Sequence, residues 1–187
     1  MSNSEEEEIA RDYICFGNAN ATVVIVDATC LERNLNLVYQ IMELTRNVIV
    51  CVNLLDEAKK KGITIDLDLL SNSLGVPVVG TIARKPKTLK KLMSTIKKVC
   101  LNECVYSSNY IKYVPCIEDS ISMLFSTVSD LLPYDKEYLT RWICIKLIEN
   151  NSELISSIEK NLDISLQNNS KINLKLIQIQ SILKNND

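Results

Sequence analysis

Apolar residues follow two alternating patterns along the first hundred positions. Nearly continuous apolar runs, rich in β-branched residues, occur at Thr22–Asp27, at 47–53 and, more briefly, at 76–80. Such runs are typical of strands that are buried on both faces of a parallel sheet. Between and after these runs, apolar residues recur at the three- and four-residue spacing of amphipathic helices. The order predicts an α/β domain, in which helices cover a three-stranded parallel sheet through right-handed crossovers.

Two residues mark the ends of one short helix in this region. Asp66 is placed to cap its start and Gly75 to end it. Beyond residue 105 no further strand pattern is convincing, and apolar residues keep helical spacing up to 183. These stripes predict a small all-helical bundle.

Within the helical part, Pro133 is expected to stop the first helix and Asp135 to cap the next one. Trp142 is expected in the core of the bundle, and the segment 172–176 fits a strand as well as a helix. We predict an α/β domain over 1–105 and a helical domain over 106–187. The boundary is expected in the tyrosine-rich stretch 106–113.

Composition excludes several kinds of chemistry. The 187 residues contain no histidine, so no Ser-His or Cys-His catalytic pair and no His-ligated metal site can form. The four glycines fit neither a dinucleotide fingerprint nor a phosphate-binding loop. With 21 basic and 23 acidic residues, the net charge of −2 gives no global field that favours nucleic acid, and we predict no nucleic-acid partner.

The seven cysteines are odd in number and include no C-x-x-C pair. We interpret them as small buried hydrophobic residues in a reducing compartment. Cys100 and Cys104, one helical turn apart, are a weak alternative as soft-metal ligands, and we predict no metal site. The apolar runs are too short to span a bilayer, so the chain is expected to be soluble and cytoplasmic.

Ligands of open parallel sheets bind at the carboxyl ends of the strands, where an N-x-x-D segment follows the second strand here. The Asp56 carboxylate can accept two hydrogen bonds from the N1–H and amino group of guanine, which adenine cannot offer. Asn53 would hold the neighbouring loops and approach N7, and the Ala83 backbone N–H would donate to O6. The predicted guanine contacts are Asn53, Leu54, Leu55, Asp56, Thr81, Ile82 and Ala83.

A simpler interpretation of the same residues stays open. Asp56 can cap a helix over 57–61 while Asn53 merely ends a strand, because N-x-x-D occurs often by chance. The T-x-A-R turn at 81–84, which arrives at the distance expected of a guanine-binding loop, favours the nucleotide hypothesis.

The motif VDATCLERNL at 26–35 resembles the VDATNLERNL signature of bacterial ferrous iron transport protein B, FeoB. The segments VNLLDEA, KGITID, LGVPVV and TIARK are similar to further segments of that family, and the resemblance extends over about 5–100. The later helices resemble the family's helical domain more loosely. Cys30 stands where the signature has Asn, and Ile82 stands where a Ser is usual. The second change should keep the backbone donor of the turn and lose its hydroxyl-based stiffening.

The resemblance implies a partial P-loop-GTPase-like sheet from a GTP-binding module at the cytoplasmic side of the bacterial membrane. In that family the module hydrolyses GTP and is joined to a membrane-embedded iron permease region, which would be its partner. It implies GTP or GDP as ligand, with Mg²⁺ only in a complete domain, and a structural role for Asp27. The family's Gly-rich phosphate loop, switch Thr and D-x-x-G are absent from these 187 residues. We therefore predict base recognition with no catalytic residue and no GTP hydrolysis by this chain alone.

Two other functions remain as alternatives. The chain can be a non-enzymatic, GTPase-like interaction or regulatory module that self-associates through an exposed sheet edge. It can also be an unrelated α/β binding domain with an accidental N-x-x-D. Arg84 and six lysines between 85 and 98 form a basic cluster, which we interpret as a solvated helix face. Contact with anionic lipid headgroups is the alternative for this cluster.

Overall fold

The computed structural model of the chain describes residues 5–103 and 112–184. Its sheet has three parallel strands in the order β1 (Thr22–Asp27), β2 (Val48–Asn53) and β3 (Val78–Gly80). The register sets Asp27 of β1 beside Asn53 of β2. The predicted parallel sheet is confirmed, although β3 is shorter than expected because Pro77, just before it, has no N–H to pair.

Helices cover both faces of this sheet. The helices of this unit are α1 (Glu5–Phe16), α2 (Leu31–Leu44), α3 (Leu55–Lys60), α4 (Leu67–Leu74) and α5 (Pro86–Cys100). On one face, side chains of α2 and α4 pack on alternate valines of the strands. On the other face, Val99 and its neighbours on α5 pack on Ile49 and Val79. The apolar runs of the sequence are therefore strands with helices packed on both faces.

The predicted ends of α4 are confirmed. Asp66 Oδ1 accepts hydrogen bonds from the backbone N–H groups of Asp68 and Leu69, at 3.1 and 2.9 Å. Gly75 ends the helix with φ +69°, a left-handed conformation that glycine adopts without steric cost. These caps fix where the chain leaves α4 for β3.

The second unit consists of helices. Its α-helices are α6 (Pro115–Ser129), α7 (Thr140–Ile148), α8 (Ser152–Leu162) and α9 (Ser170–Lys184). The ambiguous segment 172–176 is helical, and Trp142 is buried in the core as predicted. The expectation for Asp135 was wrong: it lies inside a 3₁₀ helix, Tyr134–Leu139, that leads directly into α7 without a side-chain cap.

The chain divides into two compact units, Met1–Tyr110 and Ile111–Asp187. The predicted domain boundary at 105/106 lies outside the described residues, as does Cys104 of the weak metal hypothesis. Across the described ranges, no helix combines the length and apolar character needed to cross a bilayer.

The interpretation of the cysteines holds for only part of the set. Cys15, Cys51 and Cys144 are buried, and Cys116 is half-buried. Cys30 and Cys100 are exposed, so the prediction was wrong for these two. Both stand at the end of a helical segment, where apolar neighbours in sequence do not become neighbours in space.

Candidate functional site at the carboxyl end of the sheet

Asn53, the last residue of β2, connects the ends of two neighbouring strands. Its Oδ1 accepts a hydrogen bond from the Thr81 hydroxyl at 3.1 Å and another from the Ala83 backbone N–H at 3.1 Å. Because a backbone N–H can only donate, the Asn53 atom that faces Ala83 is the oxygen. The amide nitrogen Nδ2 therefore points away from the turn, and it makes no hydrogen bond within residues 5–103 and 112–184.

A buried thiol extends this network. Thr81 is 1% exposed, and its Oγ1 lies 3.2 Å from Cys51 Sγ. The single hydroxyl hydrogen of Thr81 points at Asn53, so the Cys51 thiol is the donor in this contact. The hydrogen bonds therefore run from the Cys51 thiol to the Thr81 hydroxyl and from that hydroxyl to Asn53 Oδ1. The Ala83 backbone N–H donates to the same oxygen. Every polar group around the Asn53 carbonyl is thereby satisfied, which fixes the side chain.

The two residues between Asn53 and Asp56 shape the turn. Leu54 has φ 61° and ψ 32°, a left-handed conformation that reverses the chain directly after β2. The Leu55 backbone N–H lies 3.4 Å from the Thr81 carbonyl. A Cβ added at Gly80 would meet Leu55 Cδ1 at 2.5 Å, so Leu55 packs directly on the Gly80 backbone. Leu54 positions Asp56 through its backbone conformation, and Leu55 does so through its side-chain packing on Gly80.

Asp56 lies in the first turn of α3, and its carboxylate is held by an arginine. Arg84 Nη2 donates to Asp56 Oδ2 and lies 3.8 Å from Glu57 Oε1. Burial opposes ionisation of Asp56, but the hydrogen bond and charge of Arg84 outweigh it, so the pKa lies below its ordinary value of 3.8. The carboxylate is therefore ionised at neutral pH and can accept N–H donors.

The simpler interpretation of Asp56 as a helix cap was wrong. Helix α3 begins at Leu55, the residue before it is Leu54, and no side-chain hydrogen bond caps this start. Asp56 is instead 16% exposed and faces the turn at 81–84.

Thr88 was missed by the sequence analysis. Its Oγ1 accepts from the Ile82 backbone N–H at 3.1 Å and lies 2.8 Å from the Lys85 carbonyl. A hydroxyl from the first turn of α5 thus holds the turn around Ile82, whose own side chain has no hydroxyl. The signal in the sequence is a threonine just after Pro86, at a position that can fold back on the preceding loop.

Asp27, at the end of β1, has a structural contact. Its Oδ1 accepts from the Thr29 backbone N–H at 2.7 Å and so caps the 3₁₀ turn Ala28–Cys30. That backbone hydrogen bond is the main reason that the pKa of Asp27 lies below its ordinary value. No three acidic or cysteine side chains are grouped closely enough to hold one metal ion in the part of the chain that the structure describes.

Comparison with known proteins identifies the family. Residues 1–96 match the family model described as ferrous iron transport protein B, and residues 113–186 match the model described as the FeoB cytosolic helical domain. The chain belongs to the ferrous iron transport protein B family. The resemblance seen in the motifs is thereby confirmed, and so is the partial GTPase-like α/β fold followed by helices.

Curated FeoB relatives agree with this assignment. The Fe(2+) transporter FeoB of Staphylococcus aureus (strain MSSA476) is 31% identical over 155 residues, which are 83% of this chain and 23% of that protein. The Fe(2+) transporter FeoB of Escherichia coli (strain K12) is 34% identical over 148 residues, which are 79% of this chain and 18% of that protein. The chain thus spans about a quarter or less of these FeoB relatives.

Solved FeoB structures share the fold. The mGMPPNP-bound NFeoB of S. thermophilus has a TM-score of 0.77 at 30% identity, covering 97% of this chain and 65% of that one. The cytosolic domain of the T. maritima FeoB iron transporter in apo form has a TM-score of 0.73 at 26% identity, covering 98% and 72%. A mutant NFeoB of S. thermophilus, a further solved structure of this family, is bound to GDP.

Proposed function

We propose that this chain is the later part of the cytosolic nucleotide-binding region, with the helical domain, of an FeoB ferrous iron transporter. We further propose that the carboxyl end of its sheet recognises guanine. The observation that carries the proposal is the fixed Asn53 side chain, with its amide donors turned outward and the Asp56 carboxylate one turn further on.

The donor and acceptor pattern fits guanine better than adenine. The ionised Asp56 carboxylate accepts from N1–H and the 2-amino group, and Asn53 Nδ2 donates to N7. Adenine has neither of these donors, so it would leave the carboxylate unpaired, which is a strong basis for rejection. The Ala83 N–H bonds Asn53 Oδ1 in the structure and has to exchange that partner before it can donate to O6.

Arg84 competes for the same carboxylate. Its guanidinium offers Asp56 the same kind of N–H donor that the guanine edge offers. The Arg84 side chain is 65% exposed, so the pair is easily exchanged, and a guanine base has to displace it. We infer that base binding is weakened, but not prevented, by this ion pair.

Hydrolysis is not expected from these 187 residues. Phosphoryl transfer depends on a Gly-rich loop with its Lys and Ser/Thr and on bound Mg²⁺, and the sequence contains no such loop. We propose that GTP and GDP bind weakly through the base alone, with affinities of about 1 mM. Turnover of GTP with Mg²⁺ by this chain would contradict the proposal.

The test is a comparison of nucleosides by NMR chemical-shift titration of the native chain. Guanosine should shift the amide signals of Asn53, Asp56 and Ala83, whereas adenosine should not. In Asp56→Asn, an amide nitrogen replaces one acceptor, so the preference should move from guanosine to xanthosine, whose O2 accepts from that nitrogen. Asp68→Asn, an exposed acid on α4, is the matched control and should keep the preference for guanosine. Equal shifts with guanosine and adenosine would remove Asp56 from base recognition.

In the whole protein, we propose that this module lies at the cytoplasmic side of the membrane, next to the membrane-embedded region that carries Fe²⁺. The support is membership of a family whose curated members are Fe(2+) transporters. Loss of iron uptake in cells when Asp56 is changed within the full-length protein would be the corresponding cellular result.

A second candidate function rests on the free edge of the sheet. Ile25, in the middle of β1, is 64% exposed, and within the described residues β1 pairs only with β2. An edge strand with an exposed isoleucine favours self-association through strand pairing. Light scattering should then show a dimer that Ile25→Lys converts to a monomer, and a wild-type monomer would exclude this function.

A further inference from the structure

Charge is distributed unevenly around helix α5. Between Asp68 and Glu103 the chain contains no acidic residue, and seven basic residues lie between 84 and 98. Since the whole chain has a net charge of −2, the residues outside this segment carry a net charge of −9. The positive charge is thus concentrated on one short segment of an otherwise acidic chain.

The lysines of α5 share one side of the helix. At about 100° per residue, they occupy about 120° of arc opposite the residues that pack on the sheet. We call this surface the α5 lysine face; its members are Lys87, Lys90, Lys91, Lys97 and Lys98. All are exposed, and in the ranges 5–103 and 112–184 none of them forms an ion pair.

Apolar side chains border this face. Met93 on α5 is 63% exposed, and Leu101, the residue that follows the helix, is 54% exposed. Helices that lie on membranes combine a lysine-rich face with such apolar side chains, which enter the headgroup boundary. Lysine also contacts nucleic-acid phosphates, but proteins that read bases add Arg, Asn, Gln or aromatic side chains, and α5 contains none of these.

We propose that the α5 lysine face docks the protein onto an anionic phospholipid surface. The inference deepens the proposed function, because it rests on the module being held next to a membrane. The remainder of the chain has a net negative charge and is repelled by anionic lipid, which favours approach through this face, and docking on it fixes the orientation of the sheet unit. Binding is electrostatic and weakens as salt screens the charges.

The experiment is co-sedimentation of the native chain with vesicles of phosphatidylglycerol and phosphatidylcholine, and with vesicles of phosphatidylcholine alone. Binding should require the anionic lipid and fall with added salt. The variant K90Q/K91Q/K97Q should lower the partition coefficient about a hundredfold, because each lysine near the surface contributes about fivefold. Glutamine is a good helix former, so α5 should stay folded, and circular dichroism checks this.

The matched control removes the same charge elsewhere. K160Q/K171Q/K184Q changes three exposed lysines of the second unit and should leave vesicle binding unchanged. An equal loss in both variants would mean that net charge alone matters and would overturn the proposal. Preferential binding of RNA over the vesicles, lost in K90Q/K91Q/K97Q, would overturn it in favour of a nucleic-acid surface.

The nucleoside titration separates this inference from the proposed function. Vesicle binding without any guanosine response would support the lysine face and reject base recognition. A guanosine response without vesicle binding would reject the lysine face alone.

Discussion

Each unit of the chain contains an ion pair in which an arginine joins two segments that are distant in sequence, and these two pairs are built differently. In the sheet unit, Arg84 contacts Asp56 through one nitrogen, and its side chain is 65% exposed. In the helical unit, two nitrogens of Arg141 donate hydrogen bonds to the Glu118 carboxylate, at 2.7 and 2.8 Å, and the Arg141 side chain is 19% exposed. The Arg84–Asp56 pair is accessible to solvent through its arginine, whereas the more enclosed Arg141–Glu118 pair joins α6 to α7.

The helical pair has further support. The Tyr113 backbone N–H donates to Glu118 Oε1 at 2.8 Å, and the Arg141 guanidinium carbon lies 5.8 Å from the centre of the Tyr113 ring. The hydrogen bonds from Arg141 are the largest cause of the lowered pKa of Glu118, which lies at about 2. The carboxylates of Asp56 and Glu118 therefore differ in the number of fixed donors, although both have a lowered pKa.

One cysteine from each unit extends this comparison, and the difference between their reaction rates should be the largest effect. Cys30 is exposed near the carboxyl end of the sheet, whereas burial raises the pKa of the Cys144 thiol from 9.0 to about 12. That rise lowers the thiolate population about a thousandfold at neutral pH. In native protein, iodoacetamide should label Cys30 at least about a thousandfold faster than Cys144, as measured by peptide mass spectrometry. Comparable labelling rates would mean that the helical unit opens freely, and the denatured chain is the control.

Removing the charge of Glu118 should have the next largest effect. Glu118→Gln should lower the free energy of unfolding by about 2 kcal/mol at neutral pH, because it weakens a bidentate, partly enclosed pair. Urea denaturation measures this change. Glu153→Gln, an exposed acid in the first turn of α8, is the control and should change stability little.

The pH dependence of that difference follows from the lowered pKa. Glu118 has a pKa of about 2 in the folded protein, below its ordinary value of 4.5. Its contribution is therefore complete above pH 4.5 and is lost as the pH falls towards 2. The stability difference between wild type and Glu118→Gln should close over this range, and a constant difference would contradict the assignment.

The smallest effect is expected at the exposed pair. Arg84→Ala removes the competitor of the base and should raise the affinity for guanosine about threefold, since exposed pairs are weak. The NMR titration of the proposed site gives this value directly. Lys87→Ala, which removes a nearby positive charge that makes no ion pair with Asp56, should leave the affinity unchanged. A loss of affinity in Arg84→Ala would mean that the arginine supports the base instead of competing with it.

Much of the scaffold could be predicted from local patterns. The β-branched runs predicted the strands, and Asp66 and Gly75 predicted the ends of α4, because these signals act within a few residues. The error at Asp135 has the same origin: a residue that suits a helix cap was overridden by a 3₁₀ helix continuous with α7. The residue type at one position does not indicate whether a 3₁₀ helix runs directly into the next α-helix.

The site was predicted less completely, because its key contacts join distant residues. Asn53 and Asp56 were recognised by their spacing, and their role in binding guanine stays a prediction. The Arg84 contact and the Cys51 thiol were not anticipated, since each depends on β2 and β3 meeting in space. The Thr88 hydroxyl was also missed, although its contacts lie within six residues of the chain.

The amino-acid sequence by itself determined the parallel sheet, the helical second unit and the family, because hydrophobic period and continuous motifs are properties of neighbouring residues. Tertiary structure decided which hydrogen-bond partners the polar groups of the site have. It placed Ala83 and Thr81 on the Asn53 carbonyl and Arg84 on Asp56, across 28 to 30 positions of chain. Those partners are set by the packing of β2 against β3, and no local pattern encodes them.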